Sequence, residues 1–210
     1  MPHIQLDGEP FAGVTAPGPF SQILGRVEPD VARRSRVVTA IRINGVDEPA
    51  FREATVGTRM LAADDTLEID TTPTRQLASD ALDDAVRLMP ALCEAASATA
   101  GHLRGDAPLQ AAGDLAPLAE GLTLLVTLVQ AADAWADASQ VPHESWLGAD
   151  VSAVGRGIDA LESAQRRQDW HETASVLETS LIPALETWRV RLADAAATFP
   201  PSPESDAARG

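Results

Sequence analysis

The sequence predicts an α+β fold in two parts: a small N-terminal domain of strands around one short helix, then a mostly antiparallel four-helix bundle. Three observations carry the prediction. Short alternating or β-branched runs bounded by turn residues fill the first part. Long apolar stripes at steps of three and four fill the second. The charge is also split unevenly, with 8 Arg and 11 acids in residues 1–76 against 8 Arg and 20 acids in residues 77–210. Ala takes 38 of the 210 positions, which favours helix because Ala loses no side-chain entropy there.

In the first part, His3 to Leu6 alternates before the turn dipeptide Asp7-Gly8. A second strand is expected from Pro10 to Thr15. Pro17-Gly18-Pro19 breaks it, and Ser21 is placed to cap a helix reaching about Arg34, made irregular by Gly25 and Pro29. Val37 to Ile43 is the best strand in the chain, β-branched and closed by Asn44-Gly45. Thr66 to Asp70 alternates acid outward and apolar inward. The domain is expected to span residues 1–72. Its order of strand, strand, helix, strand, strand resembles the ubiquitin-like β-grasp. Leu61 to Ile69 is similar to the loop and last strand of the small sulfur-carrier members of that family. The resemblance covers about a third of the chain and implies a fold. Those members end in a Gly-Gly tail that is activated. Here the chain runs on into helices and ends Ala207-Ala208-Arg209-Gly210, so no sulfur transfer is implied.

Residues 76–198 read as four helices. The first runs from about Gln76 to Ala100 on Leu77, Ala81, Ala85, Leu88, Leu92 and Ala96. The second, from about Pro108 to Ala138, carries Leu115, Leu118, Leu122, Leu125, Val129 and Ala132, with Leu124 and Leu128 widening the stripe. The third, Asp150 to Arg167, uses Val151, Val154, Ile158 and Leu161. Gly155 and Gly157 each cost it about 1 kcal/mol against Ala. The fourth steps through Trp170, Ala174, Leu177, Leu181, Leu185, Trp188 and Leu192, with Asp169 as its cap. Residues 199–210 read as a disordered tail. Pro90, Pro117 and Pro183 sit in similar Leu-x-Pro settings inside these helices. Three interior prolines would kink them and open a groove at mid-height. The segment from Asp169 to Trp188 is similar to a pattern in a bacterial family that pairs a small β domain with a helical bundle. That resemblance implies architecture and no activity.

The residue inventory excludes several chemistries. There is no Lys and no Tyr, so a Schiff-base Lys, a Walker-type Lys and a Tyr nucleophile are excluded. One Cys excludes an intrachain disulfide and a multi-Cys zinc site. Cys93 lies at the edge of an apolar stripe and reads as structural. No Gly-x-Ser-x-Gly elbow, phosphate-binding Gly-rich loop or His-Glu-x-x-His is present. Acidic pairs such as Asp64-Asp65 and Asp83-Asp84 are the ordinary solvated faces of an acidic chain. An up-down-up-down bundle would bring its first and third connections together. His102, Asp106, Asp169 and His171 are therefore the metal candidates, two His with carboxylates being a workable ligand set. Their ordinary roles are a helix C-terminal His and an exposed His. No cofactor is expected and no catalytic residue stands out.

All four Trp lie in the helical part. Trp170 and Trp188 read as core. Trp135, Trp146 and Leu147 are the partner-binding candidates, because aromatic residues near helix ends and loops often anchor interfaces. For Trp146 the first reading is a seal of the joint between the two domains, and the exposed partner anchor is the alternative. Arg33-Arg34-x-Arg36, flanked by Arg26 and Arg42, is the one basic cluster, expected to pair with local acids. The net charge of −15 argues against nucleic acid and against an anionic membrane. The longest apolar run, Gly121 to Ala132, falls short of the roughly 20 residues of a membrane span. The first residues resemble no signal peptide, so a cytoplasmic location is expected. The reading is thus a non-enzymatic cytoplasmic protein-interaction protein, adaptor or regulatory in kind. The alternative is a small-ligand- or metal-binding bundle, enzymes included. A homodimer through Leu124 and Leu128 is a third option.

Overall fold

Asp7-Gly8 and Asn44-Gly45 fold as turn dipeptides should. All four residues have positive φ, at 51°, 82°, 53° and 76°, the backbone that a two-residue hairpin of the right twist demands. The structure is a computed structural model that describes residues 2–13, 17–106, 108–146 and 151–199, with residue 110 and residues 151–158 described by backbone alone. The chain divides into two compact units, Met1–Leu77 and Ala78–Gly210. The fold is α+β, 64% helical, with a mixed five-stranded sheet at the N-terminus.

The first unit contains β1 (His3–Leu6), β2 (Glu9–Pro10), β3 (Gly18–Pro19), α1 (Phe20–Arg33), β4 (Arg36–Ile43), β5 (Val46–Asp47), α2 (Ala54–Gly57), β6 (Met60–Leu61) and β7 (Thr66–Pro73). The sheet order is β2-β1-β7-β4-β5. β1 and β7 pair in parallel, and the other pairs are antiparallel. Alternation then puts Ile4, Leu6, Ile41, Ile43, Leu67 and Ile69 on the buried face, against Phe20, Ile23, Val27 and Val31 of α1. Polar side chains fasten the loops to this sheet. The Asp7 carboxylate accepts from Thr71 N and Thr71 Oγ1, both at 2.7 Å. Asn44 donates to Asp65 at 2.8 Å and accepts from Thr66 N at 2.8 Å.

Three expectations change here. The second strand stops at Pro10, with one further ladder bond from Phe11 N to Ile4 O; the rest of its expected length reaches residues 14–16, outside the described residues. The helix starts one residue before Ser21, which caps nothing: Phe20 N bonds Arg59 O at 2.8 Å, and burial of the Phe20 ring fixes the start. Pro17-Gly18-Pro19, read as a breaker, contributes Gly18–Pro19 to a small second sheet with Met60–Leu61.

β7 passes at Pro73 directly into α3 (Thr74–Leu103). The helices that follow are α4 (Pro108–Ala111), α5 (Leu115–Ala138), α6 (Val151–Arg166), α7 (Trp170–Val176) and α8 (Ile182–Thr198). These are six α-helical segments where four helices were expected, because two of the four are interrupted. A 3₁₀ turn at Ala112–Asp114 separates α4 from α5. Pro117 has no N–H for the carbonyl of Gly113, so it sits in the first turn of α5, where that donor has no helical partner anyway. A π-helical turn at Leu177–Leu181 separates α7 from α8, and Pro183 falls at the start of α8. Among the described residues of this unit, only Pro90 lies deep inside an unbroken helix. The three prolines are therefore not three equivalent kinks.

The stripes read on α5 and on the last helix are buried, from Leu115 to Ala132 and from Ala174 to Leu192. The first stripe is rotated. α3 buries Ala78, Leu82, Ala85, Met89, Leu92 and Ala96, while Leu77, Ala81 and Leu88 are only half-buried. Two neighbouring faces of α3 are apolar, and the larger Leu82 and Met89 decide between them. Gly121 permits the close approach of α5 to α3: a Cβ there would meet Leu92 Cδ2 at 2.6 Å. Asp169 accepts from Glu172 N at 3.0 Å and caps α7 as expected. The side chains of Val151, Val154 and Ile158 lie outside the described residues. The stretch Ala112–Ala138 is long and apolar enough to cross a membrane by length and composition, with mean hydropathy 1.6 and 33% of its window buried. It exceeds the charge-free run noted above because its flanks add Ala and Leu.

Replacing the fully buried Phe20 by Ala should cost the first unit about 3–5 kcal/mol, as for other buried Phe→Ala changes. Amide hydrogen exchange of β4 and β7 measures it, and a loss under about 1 kcal/mol would mean the ring does not organise this sheet.

Candidate functional site

Three places in the helical unit gather chemistry-bearing side chains. The first is a cleft of about 570 Å³ between α5 and α6. Leu115, Leu118, Leu122, Val126, Leu161 and Trp188 supply its apolar lining. Its polar lining comes from Thr123, Thr127, Gln130, Glu162 and Gln165. The Thr123 hydroxyl donates to Ala119 O at 2.9 Å, and the Thr127 hydroxyl donates to Thr123 O at 2.8 Å. Both O–H groups are thus satisfied by their own helix. Trp188 is 1% exposed, and its Nε1 is buried without a hydrogen-bond partner among the described residues. Burying about 150–250 Å² of indole at about 25 cal/mol/Å² gains about 4–6 kcal/mol. An unpaired donor costs about 1–3 kcal/mol. Burial wins, so the orphan N–H is tolerated.

The second place is the segment after α5. Asp133 on α5 accepts from Ser145 Oγ at 3.0 Å and from Trp146 N at 3.3 Å, and His143 Nε2 lies 3.3 Å from the same carboxylate. His143 Nδ1 faces Val141 O at 3.1 Å. The rings of His143 and Trp146 are 4.6 Å apart, and Trp146 meets Phe199 edge-on at 5.7 Å. His143, Ser145, Trp146 and Phe199 border a cavity of about 550 Å³ that Arg191 and Asp194 also line. Ser, His and Asp are together, but not as a nucleophile needs them. Ser145 gives its proton to Asp133 rather than to His143, so the arrangement fastens a loop and activates no hydroxyl. Trp146 is 8% exposed, which corrects its reading as an exposed anchor: the Asp133 network draws it into the helical unit. Trp135 is half-buried against the same core. Leu147 lies outside the described residues.

The third place holds the metal candidates. His102 Nδ1 lies 3.1 Å from Asp114. His171 lies 3.3 Å from Arg104 Nη1, and Arg104 grips Glu178 through Nε at 2.8 Å and Nη2 at 2.5 Å. Asp169 is engaged as a helix cap and Asp106 is exposed. Among the described residues, no group of three or more His, Cys, Asp or Glu side chains comes together as a metal site. The guanidinium of Arg104 beside His171 would repel a cation at that nitrogen. The hydrogen bond from Arg104 holds the Glu178 carboxyl below its ordinary range. Glu178 belongs to the π-helical turn, so this ion pair ties that turn to the end of α3.

Cys93 is buried, and burial, with Glu186 as a lesser cause, pushes its thiol up. Three members of the basic cluster are in ion pairs: Arg33 with Asp30, Arg36 with Asp7, and Arg42 with Glu68 and Asp70. No protein-family model, no curated protein and no solved structure matches the chain. The sequence offered no sign of the Asp133–His143 or Arg104–Glu178 pairs, and it assigned Trp188 to packing alone.

Two outcomes follow from these environments. The Glu178 carboxyl titrates below its ordinary value of 4.5 in the folded chain, so its contribution is present above that pH and is lost as pH falls through the lowered value. Glu178→Gln should lower the urea midpoint at pH 7 and flatten the loss of stability on acidification; parallel acid profiles for both proteins would refute the coupling. The Cys93 thiol should react with a disulfide reagent much more slowly in the native protein than in urea at neutral pH. Equal rates would mean that the sulfur is open.

Proposed function

We propose that the chain acts by holding another protein and not by catalysis, and that the helical unit makes the contact. The observation that carries this reading is the apolar surface of α5 left outside the core. Leu124 is 51% exposed in the middle of that helix, with Leu128 half-buried one turn further on. Exposed apolar surface on an otherwise charged protein marks an interaction face. The net charge of −15 favours a partner with an apolar patch inside a basic rim, because complementary charge speeds encounter and orients docking. A second copy of the chain would supply the apolar patch without the basic rim.

The same proposal takes the first unit as a ubiquitin-like β-grasp and the second as a four-helix bundle. Support for the former is a five-stranded mixed sheet whose first and last long strands pair in parallel beside one helix. Support for the latter is that the 3₁₀ turn at Ala112–Asp114 and the π turn at Leu177–Leu181 interrupt helices without reversing the chain, since residues 108–138 and 170–198 stay helical through them. A cytoplasmic setting belongs to the proposal as well.

Affinity capture of tagged protein from cell lysate, at low and high salt, tests it beside Leu124→Glu. The position is exposed, so the variant should fold. A stoichiometric partner held by the wild type and lost by the variant is expected. Bait alone in both captures, together with a light-scattering mass near the monomer's 22.1 kDa, would overturn the reading. A doubled mass that returns to 22.1 kDa in the variant would make the second copy the partner.

A further inference from the structure

We propose that Asn44 is a site of spontaneous covalent modification, deamidation through Gly45, whose rate is set by a clasp that the Asn44 side chain itself makes. Asn44 is the one Asn in 210 residues, and Gly follows it. In this chemistry the backbone N of the next residue attacks the side-chain carbonyl of Asn. A Gly at that place leaves the nitrogen least hindered, because it has no Cβ. Asn44 and Gly45 are both exposed. Chain neighbours aside, no atom lies within 4 Å of where a Cβ on Gly45 would stand. The attacking nitrogen, and the water needed later, thus meet no obstacle.

The reaction balances as a hydrolysis. Gly45 N gives up its proton and bonds Asn44 Cγ. The Cγ–Nδ2 bond breaks, and Nδ2 takes up a proton and leaves as ammonia. Water then opens the imide ring at Cγ, which gives an aspartate, or at the backbone carbonyl of residue 44, which gives an isoaspartate. Either product adds one negative charge.

The fold holds this reaction back. Asn44 Nδ2 donates to Asp65 at 2.8 Å, and Asn44 Oδ1 accepts from Thr66 N at 2.8 Å. Asn44 N donates to Thr66 O at 2.8 Å as well. The carboxamide is therefore gripped at both ends, and it must let go to turn Cγ onto Gly45 N. Asp65 is itself steadied by Ala62 N at 2.7 Å. The hydrogen bond from Asn44, and then that from Ala62, hold the Asp65 carboxyl below its ordinary range, so it remains an ionised acceptor at neutral pH. The carboxylate that replaces the amide has no N–H to offer Asp65 and faces it with like charge. The clasp cannot re-form, so the reaction makes a transient opening of the β4–β5 turn permanent.

Trypsin and mass spectrometry on the full chain test the proposal. Arg42 and Arg52 bound a peptide of residues 43–52, whose amide and acid forms are resolved by mass. At mildly alkaline pH the wild type should convert more than about tenfold faster in urea than in native buffer. Asp65→Ala should convert about tenfold faster than wild type in native buffer, the worth of one net hydrogen bond. Asp64→Ala removes the same charge from the exposed neighbouring side chain and should leave the rate unchanged. Far-UV circular dichroism establishes that the variants fold, and the urea comparison stands without any variant. Asn44→Asp reproduces one product and should speed amide exchange across the β4–β5 turn. An amide that survives in urea would overturn the site. Equal wild-type rates in urea and native buffer, or equal acceleration by Asp64→Ala and Asp65→Ala, would overturn the clasp. Unchanged exchange in Asn44→Asp would overturn the permanent opening.

Discussion

Burial of one indole, Trp188, is the interaction on which the helical unit turns. Many of its neighbours are small. Ala85 and Ala96 of α3 and Ala132 and Ala136 of α5 are all fully buried, and each removes little area from water. Alanine lets helix backbones come close, as Gly121 does opposite Leu92, but it leaves volume to be filled by others. Trp188, Met89, Leu82, Leu125, Leu177, Leu185 and Leu192 do that filling. The largest of them carries a polar atom that a dense apolar core cannot answer. Its hydrocarbon surface suits the core and its N–H does not.

Electrostatics has a different logic in each unit. In the first, acids are paired with sheet and turn groups, and Arg side chains lie across the strands on Glu68, Asp70 and Asp7. These pairs are exposed or half-exposed, so they fix register and orientation more than they add stability. In the second, Asp133 and Glu178 gather a loop and a helical turn that are distant in sequence. Asp133 alone organises Ser145, the Trp146 backbone and His143. A carboxylate with three neighbours holds the loop in place, and it also explains why a Ser, a His and an Asp in mutual reach make no nucleophile.

What the sequence disclosed depends on whether local physics had one answer. Asp7-Gly8 and Asn44-Gly45 were legible because few residues accept positive φ at both turn positions. The stripes of α5 and of the last helix were legible because their core faces are filled by large residues at helical spacing. The stripe of α3 was misplaced by one position because Leu77 and Leu88 compete with Leu82 and Met89 on an adjacent face, and periodicity cannot rank two apolar faces. Proline was read as a kink, whereas Pro117 lies in the first turn of α5 and Pro183 directly follows the π turn, so each falls where the regular α-helical ladder is already interrupted. The candidate sites were far less legible. Trp146 follows a helix end in a polar stretch, and nothing local says that Asp133, thirteen residues back, will pull it inward. The cleft joins α5, α6 and Trp188 through tertiary packing, which no spacing within one helix encodes.

The distribution of aromatic residues has one more consequence. All four Trp belong to the helical unit, and the chain has no Tyr. The sheet unit has only Phe as an aromatic chromophore, and Phe is nearly dark beside an indole. The indole emitters therefore all lie within residues 78–210, and the sheet unit contributes none of its own. A melting curve recorded by indole emission follows emitters placed in 133 of the 210 residues, and the sheet unit needs a probe of its own.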